Sequence, residues 1–589
     1  MSKTTPHIIR AGIRSRKVSV PHLLLALIVV VYLAVGGLYA VFTPPWQSPD
    51  EPAHYNYVRQ IAARGGCCPV IESGDWQQAY QEELMSARFD PALLSGLETL
   101  QYEDHQPPLY YLLARAWTPQ PERGLLVQMR LLSVLIGAGV ALCAFGVGWL
   151  LLPERPQVAP AMAALVAFLP QHVHMLASVN NDGLAELIVG LTLAASIYYL
   201  QDRPSYVLYP VITAGLMLAI WAAVAILGAL VYDPARDGAT GANLLAMLAA
   251  AGMLAAAVYW GYNWLKHPDK RRLHVRPWSL GLLVGLGLVT KVSTLLLVGI
   301  VPAAILLKWW FDRRSRKTAA AVHIPAQAAR RGALAVWRYR DTTLGRAAIS
   351  TARRALPGAL RSRLQPLLPL LRGWAVFALP VIALGGLWAL RNISVYGFPD
   401  VFGLGRHDLV VAEQLRTADL IADIGLSVYL GQALRTTFTS FWGQFGWMAA
   451  PMPGWIYGLI LALLALAGSG WIAAAVSYRR KAEDAKPAGG PTWRAAAALV
   501  LALTAALALL AYVYYNTSFV QYQGRYLYPG LIPLALALAA GVDAWQRLIF
   551  ARARRPRPYM VYSTVLPFLA FAPLDLYLLW RWIIPALTP

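Results

Sequence analysis

The chain has 589 residues, 58% of them hydrophobic and 14% charged, with a net charge of +22 and a mean hydropathy of +0.49. A soluble domain carries about 25% charged residues, so this composition excludes a water-soluble globular fold and points to a polytopic membrane protein. The positive charge argues against nucleic acid by its placement: residues 311–373 hold 14 Lys/Arg against 2 Asp/Glu. Much of the rest sits in short connections such as "KHPDKRR", "SYRRK" and "RARRPRP", the distribution expected of cytoplasmic loops.

In chain order, the basic stretch "MSKTTPHIIRAGIRSRK" precedes an apolar run from Val20 to Phe42. The run is long and no small-x-small cleavage site follows, so the sequence predicts an uncleaved first helix with a cytoplasmic N-terminus. Later runs of about 20 apolar residues are long enough to cross ~30 Å of hydrocarbon as helices. They do not alternate as barrel strands would. Helices are predicted over 20–43, 126–152, 157–177, 183–200, 206–232 and 242–264. The next run, Pro277 to Trp310, has basic segments on both sides. A hairpin of two short helices turning near Thr290–Ser293 keeps both segments inside and carries Lys291 to the outer surface, where a charge is cheap to hold. Helices follow over 374–396, 451–477, 495–515, 526–546 and 559–584. The expectation is an all-α polytopic fold of about 13 spans, one integral-membrane domain over 1–589, with the C-terminus outside. No repeat of the 20–50-residue kind is present.

This topology exports two long segments, 44–125 and 397–450, and keeps a basic insertion, 311–373, in the cytoplasm. The first exported segment holds 11 acids and 5 Lys/Arg, the reverse of the inner loops. Stretches such as "YQEELMSARFDPALLSGLETL" mix apolar, aromatic and polar residues and suit helices lying in the interface plane. The cationic stretch around "RRGALAVWRYRD" suits anionic inner-leaflet lipid. Of three cysteines, Cys143 lies in an apolar run and reads as a core residue. Cys67 and Cys68 are neighbours. A bond between neighbours would hold the Cα atoms about 3.8 Å apart, closer than usual disulfide geometry, and so would be strained. No zinc-type spacing occurs.

Folded this way, the unusual polar residues collect on the outer side. "PPWQSPDEPAHYNYV" supplies Asp50, Glu51 and His54, and "YEDHQPPLYY" supplies Glu103, Asp104 and His105. "PQHVHMLASVNNDG" supplies Asn181 and Asp182, the hairpin tip supplies Lys291, "WALRNISVYGFPD" supplies Arg391, and "QYQGRYLYPG" supplies Arg525. The acids suit a general base, or, through Asp50, Glu51, Asp104 and Asp182, a divalent metal such as Mg or Mn. The cations Lys291, Arg391 and Arg525 suit a lipid phosphate. Plainer readings stand beside these. "SPDEP" fits a helix start with Ser48 as cap and the carboxylates against the dipole. Asp182 fits an N-cap, and His54 and His105 fit interface hydrogen-bonders. Lys291 fits a snorkelling turn residue, and Arg391 and Arg525 fit helix anchors. Tyr110, Tyr111, Trp442 and Trp447 fit interface-belt aromatics.

"SPDEPAHYNYV" resembles the acidic first-loop motif of the GT-C superfamily of integral-membrane glycosyltransferases. "DHQPPLYYLL" is similar to the His/Lys-Pro-Pro-Leu stretch of its protein mannosyltransferase and lipid A aminoarabinose transferase branches. "NND" and "GRYLYP" resemble an acidic residue of its second outer loop and an arginine near a late helix. The likeness lies in topology and about four short motifs, nearest to bacterial members of unassigned substrate. It departs from the pattern where Gln106 precedes the two prolines and His105 stands one place earlier. The resemblance implies transfer of a sugar from a polyprenyl-phosphate donor to an acceptor hydroxyl on the outer face of the cell membrane, with inversion. Asp50 would be the base, with Glu51 able to trade roles. His54, Glu103, Asp104, His105, Asn181 and Asp182 would orient donor and acceptor, and Lys291, Arg391 and Arg525 would hold the lipid phosphate. The acceptor is a glycan, lipid or protein. The alternative is a transporter or flippase for a lipid-linked saccharide, which favours midplane polar residues, broken helices and repeated halves.

Overall fold

The computed structural model describes residues 19–118, 124–231, 250–255, 258–259, 261–262, 266, 273–321, 365–482, 492–552 and 558–589. The N-terminal basic stretch, most of the predicted helix 242–264 and most of the basic insertion 311–373 lie outside these residues. Among the described residues, ten helices are long and apolar enough to cross a membrane, or eleven if a bent pair counts as one span. The chain is therefore an all-α polytopic membrane protein.

The first helix, α1 (Val20–Phe42), carries Pro21 in its first turn and runs into Thr43-Pro44-Pro45 at its end. The segment to the next span folds into α2 (Glu51–Arg64), α3 (Gln78–Ser86), a 3-10 helix (Pro91–Thr99) and α4 (Leu109–Trp117). Span α5 (Leu125–Leu151) follows. The predicted helix 157–177 is instead two helices, α6 (Val158–Phe168) and α7 (Pro170–Leu176), bent by 64°. The cause is Pro170, which forces Leu169 into an extended conformation with φ −66° and ψ 118°. Spans α8 (Asp182–Gln201) and α9 (Leu208–Val231) come next.

The run from Pro277 forms α10 (Pro277–Leu288), a 3-10 turn (Val292–Leu295) and α11 (Leu296–Ala321). α10, with 12 residues, is too short to count among the ten candidate spans. Its direction follows from its packing on α12 (Leu368–Tyr396). Gly281 lies against Phe377 and Pro380, and Gly285 against Pro380 and Leu384, so α10 and α12 run parallel. A Cβ on Gly281 would come within 2.1 Å of the Phe377 carbonyl oxygen, so only glycine permits this approach. α11 runs the other way, since Trp374 Nε1 donates to Pro302 O (3.1 Å) and Trp309 Nε1 to Pro366 O (2.9 Å). α10 and α11 are thus antiparallel, with Lys291 at the tip between them.

The second long segment forms α13 (Leu404–Val410), α14 (Thr417–Ile424) and α15 (Leu426–Trp442). Spans α16 (Gly454–Ala482), α17 (Trp493–Ser518) and α18 (Leu531–Arg552) follow, with a 3-10 ledge at Gly524–Gly530 before α18. The last span, Met560–Leu587, includes a π-helical turn at Leu579–Ile583. The two long segments cap one end of the bundle over a second core that joins Ile71, Leu84, Phe89, Leu100 and Tyr102 to Val411 and Phe519. Cys67 and Cys68 form a disulfide, against the geometric expectation, and their shared peptide is cis rather than trans. Tyr110, Tyr111 and Trp442 are buried within the protein core, not displayed as an interface belt. Tyr111 stacks on Tyr57 with ring centroids 3.7 Å apart, the Tyr110 hydroxyl shares a 2.9 Å hydrogen bond with Ser133 of α5, and Trp442 stacks on Phe571, so all three face other elements of the protein.

Candidate active site

The adjacent acids of "PDEP" part company because α2 starts between them. Asp50 stands outside the helix in the left-handed region (φ +66°), and Glu51 is its first residue. Glu51 turns into the bundle and is fully buried. Its carboxylate accepts Arg130 Nη2 at 2.5 Å and Nε at 2.7 Å, and the backbone N–H groups of Trp46 and Val179 at 3.1 Å. Arg130 also donates to the carbonyls of Thr43 (2.8 Å), Pro44 (3.2 Å) and Ala40 (3.3 Å). This pair ties the end of α1 to α2, α5 and the turn before α8, and leaves Glu51 no lone pair directed at a substrate. Ser48 does not cap α2; its hydroxyl shares a 3.2 Å hydrogen bond with His174 Nε2.

Asp50 points the other way. Its Oδ2 accepts Arg525 Nη2 at 2.5 Å and its Oδ1 accepts the Tyr102 hydroxyl at 3.1 Å. Burial alone would raise the Asp50 carboxyl. The Arg525 charge and hydrogen bond, with His54 and Lys291 nearby, hold it below the usual carboxylate range. A second pair stands alongside: Lys291 Nζ meets Asp182 Oδ1 at 2.6 Å. Asp182 is thus an ion-pair partner at the first position of α8, with Asn181 in the cap position. Arg525 lies within electrostatic reach of both Asp50 and Asp182. The Asp50 and Asp182 side chains are each 23% exposed and that of Lys291 15%, so the cluster reaches the protein surface. Arg525 is 5% exposed, and its Nε and Nη1 are buried with no hydrogen-bond partner among the described residues.

The ledge that carries Arg525 is rigid for a local reason. A Cβ on Gly524 would sit 2.4 Å from Phe441 N, so the glycine lets the ledge lie flat on α15. Gly524 N donates to Ser440 Oγ (2.8 Å) and Tyr528 Oη to Phe441 O (2.8 Å).

The other predicted residues fall around this cluster or apart from it. His54 shares a 2.8 Å hydrogen bond with the Tyr111 hydroxyl and lies within electrostatic reach of Glu103, Lys291, Asp50 and Asp182. Burial pushes its imidazole down, so it is neutral at pH 7. Glu103 borders the cluster with Oε2 buried and unpartnered. Asn181 Nδ2 donates to Gln106 Oε1 (3.2 Å) and to Thr290 O (3.4 Å), which holds the turn before α8 to the hairpin tip. Asp104 instead accepts Gln60 Nε2 at 2.5 Å, and burial pushes its carboxyl well above the usual range. His105 is buried at the seam of the two loops, 4.4 Å ring to ring from His407. Arg391 is buried and donates to the carbonyls of Pro69 and Cys68 and to the side chains of Asn392 and Tyr396. It docks the first loop onto α12, and none of its described partners is in the Asp50–Asp182 cluster.

Sequence reasoning missed three groups. Arg130 is a lone cation inside the apolar run "LLVQMRLLSVL", and Tyr102 was read only as part of its motif. His172 and Glu186 form a buried pair, Nε2 to Oε2 2.7 Å, at the bend of the broken span. The signal for Glu186 was an acid in "DGLAELIVGL".

The carboxylates do not fit a divalent ion. Asp50 and Asp182 each face a cation, Glu51 is saturated by Arg130, and Asp104 is bound to Gln60. Among the described residues no group of three or more His, Cys, Asp or Glu is placed to hold one. Compared with known proteins, the chain matches no family model, no curated protein and no solved structure. The fold and cluster define a polytopic membrane protein with two acids and two cations gathered at one end of its helices. Such a site can take a proton and bind an anion at the same time.

Proposed function

We propose that the chain is a glycosyltransferase that moves a sugar from a polyprenyl-phosphate donor to an acceptor hydroxyl on the outer face of the cell membrane. The observation that carries this reading is Arg525: a buried guanidinium with two unpartnered nitrogens, beside Lys291 and two carboxylates, at the end of a membrane bundle. Arginine with N–H groups left without a hydrogen-bond partner is a natural receptor for a phosphate.

The acceptor oxygen attacks the anomeric carbon from the face opposite the phosphate. The carbon–oxygen bond to the phosphate breaks, its electron pair leaves with the lipid phosphate, and the acceptor proton passes to Asp50. The anomeric carbon inverts. Arg525 and Lys291 stabilise the charge that grows on the phosphate, which is usually the largest catalytic contribution. His54, Glu103 and Asp182 orient the reactants; the acceptor is a glycan, lipid or protein. Exposed apolar side chains next to the hairpin tip, Leu295 and Val298, offer the prenyl tail a surface. No step runs through a metal.

A second reading, a transporter or flippase of a lipid-linked saccharide, draws support from the broken span with its buried His172–Glu186 pair. Proteoliposomes with a fluorescent polyprenyl-phosphate sugar separate the two. The enzyme reading expects donor consumption in the presence of acceptor and no transbilayer movement. Movement without consumption would replace it with the transporter.

A further inference from the structure

We propose that the donor phosphate and Asp50 compete for Arg525, so that binding and departure of the phosphate release Asp50 to act as the base. The proposal rests on the glycosyltransferase reading above and adds to it the order of events and the role of each ion pair.

Asp50 is a poor base as the chain stands, because Arg525 donates to it at 2.5 Å. That pair is a single hydrogen bond from one guanidinium nitrogen. Among the described residues Arg525 Nε and Nη1 are buried without a hydrogen-bond partner, and the guanidinium lies 5.2 Å from the Tyr526 ring centroid. Lys291 is likewise held by one contact to Asp182. The two non-bridging oxygens of a phosphodiester can engage both cations at once, where Asp50 and Asp182 each hold one cation through one oxygen.

The chemistry sharpens the exchange. A polyprenyl-phosphate sugar is a phosphodiester with one negative charge. When the glycosidic bond breaks it becomes a monoester with up to two. The pull on Arg525 and Lys291 is therefore greatest as the acceptor proton leaves. As Arg525 turns toward the phosphate, Asp50 loses its counter-ion and becomes more basic. Two features keep Asp50 in place meanwhile. Tyr102 still donates to Oδ1, and α2 starts at the next residue. The Gly524 ledge is packed on α15, so the exchange needs rotation of the guanidinium and no backbone shift.

The test is equilibrium binding of farnesyl phosphate to the full chain in lipid nanodiscs. If Asp50 and Asp182 compete with the phosphate, Asp50→Asn and Asp182→Asn each bind about three- to tenfold tighter than wild type. Arg525→Gln binds at least about tenfold weaker. Asparagine suits position 50, since it tolerates the left-handed backbone found there. Inorganic phosphate follows the same order at lower affinity if the phosphate group alone drives the exchange. A change for farnesyl phosphate only would assign the competition to the seated lipid. Unchanged or weaker binding in both folded acid variants, with wild type binding normally, overturns the proposal and leaves the enzyme reading standing. No binding by wild type removes the enzyme reading and the proposal with it.

Discussion

Replacing Glu51 with alanine leaves the Arg130 guanidinium in a site that water does not reach, with side-chain exposure of 2% for the arginine and 0% for the glutamate it loses. The backbone N–H groups of Trp46 and Val179 lose their acceptor at the same time. Removing one partner of a buried, hydrogen-bonded ion pair costs about 3–5 kcal/mol. The orphaned N–H groups keep the loss in the upper part of that range. Glu51→Ala should therefore unfold far more easily in mixed detergent–SDS micelles followed by tryptophan fluorescence. The double variant Glu51→Leu/Arg130→Leu should lose less than the sum of its single changes, because no unpaired charge remains. The reasoning fails if Glu51→Ala stays within about 1 kcal/mol of wild type while turnover collapses. That pattern would make Glu51 a chemical group and not a tie between helices.

Two further outcomes follow from particular residues. Gly524→Ala drives a Cβ into the Phe441 backbone, lifts the ledge and moves Arg525. It should cost about 1–3 kcal/mol in the same unfolding assay and lower donor turnover more than stability alone explains. Turnover equal to wild type would show that Arg525 does not need the ledge. Asp104 gives a pH signature. Burial raises its carboxyl well above the ordinary value, so the folded chain keeps a proton that the unfolded chain releases above about pH 4. The folded state binds more protons in that window, and Asp104 makes stability fall as pH rises from about 4 toward its folded pKa. Asp104→Asn should flatten this slope and be the more stable protein at pH 7. A steeper fall in the variant would contradict the assignment.

How much of this was readable from the chain depends on the length scale of the signal. The spans were legible because each is a local apolar run, and the hairpin at Lys291 because basic segments flank the run on both sides. The break at Leu169–Pro170 is absent from the sequence expectation of one helix over 157–177: a residue before proline avoids helix, but uniform hydropathy on both sides masks the boundary. The roles of Asp50 and Glu51 were not separable, as both are carboxylates in one motif. What divides them is the helix start between them and partners far along the chain, Arg525 for one and Arg130 for the other. Arg391 and Arg525 looked alike as helix-end arginines. The fold closes the first around the Cys68 and Pro69 carbonyls and leaves the second with two buried nitrogens that have no hydrogen-bond partner among the described residues. Such pairings are non-local, and neither composition nor spacing carries them.

The most direct test of the account is release of free polyprenyl phosphate by the purified full chain in lipid, across a panel of synthetic polyprenyl-phosphate sugars with mixed acceptors. Wild type and Asp50→Asn are compared. The account predicts release from at least one donor, and a loss of about 10²–10⁴-fold in Asp50→Asn with the unfolding midpoint unchanged. Release that persists at the wild-type rate in Asp50→Asn would contradict Asp50 as the base. Absence of release from every donor, with wild type moving the donor across the bilayer, would contradict the enzyme itself.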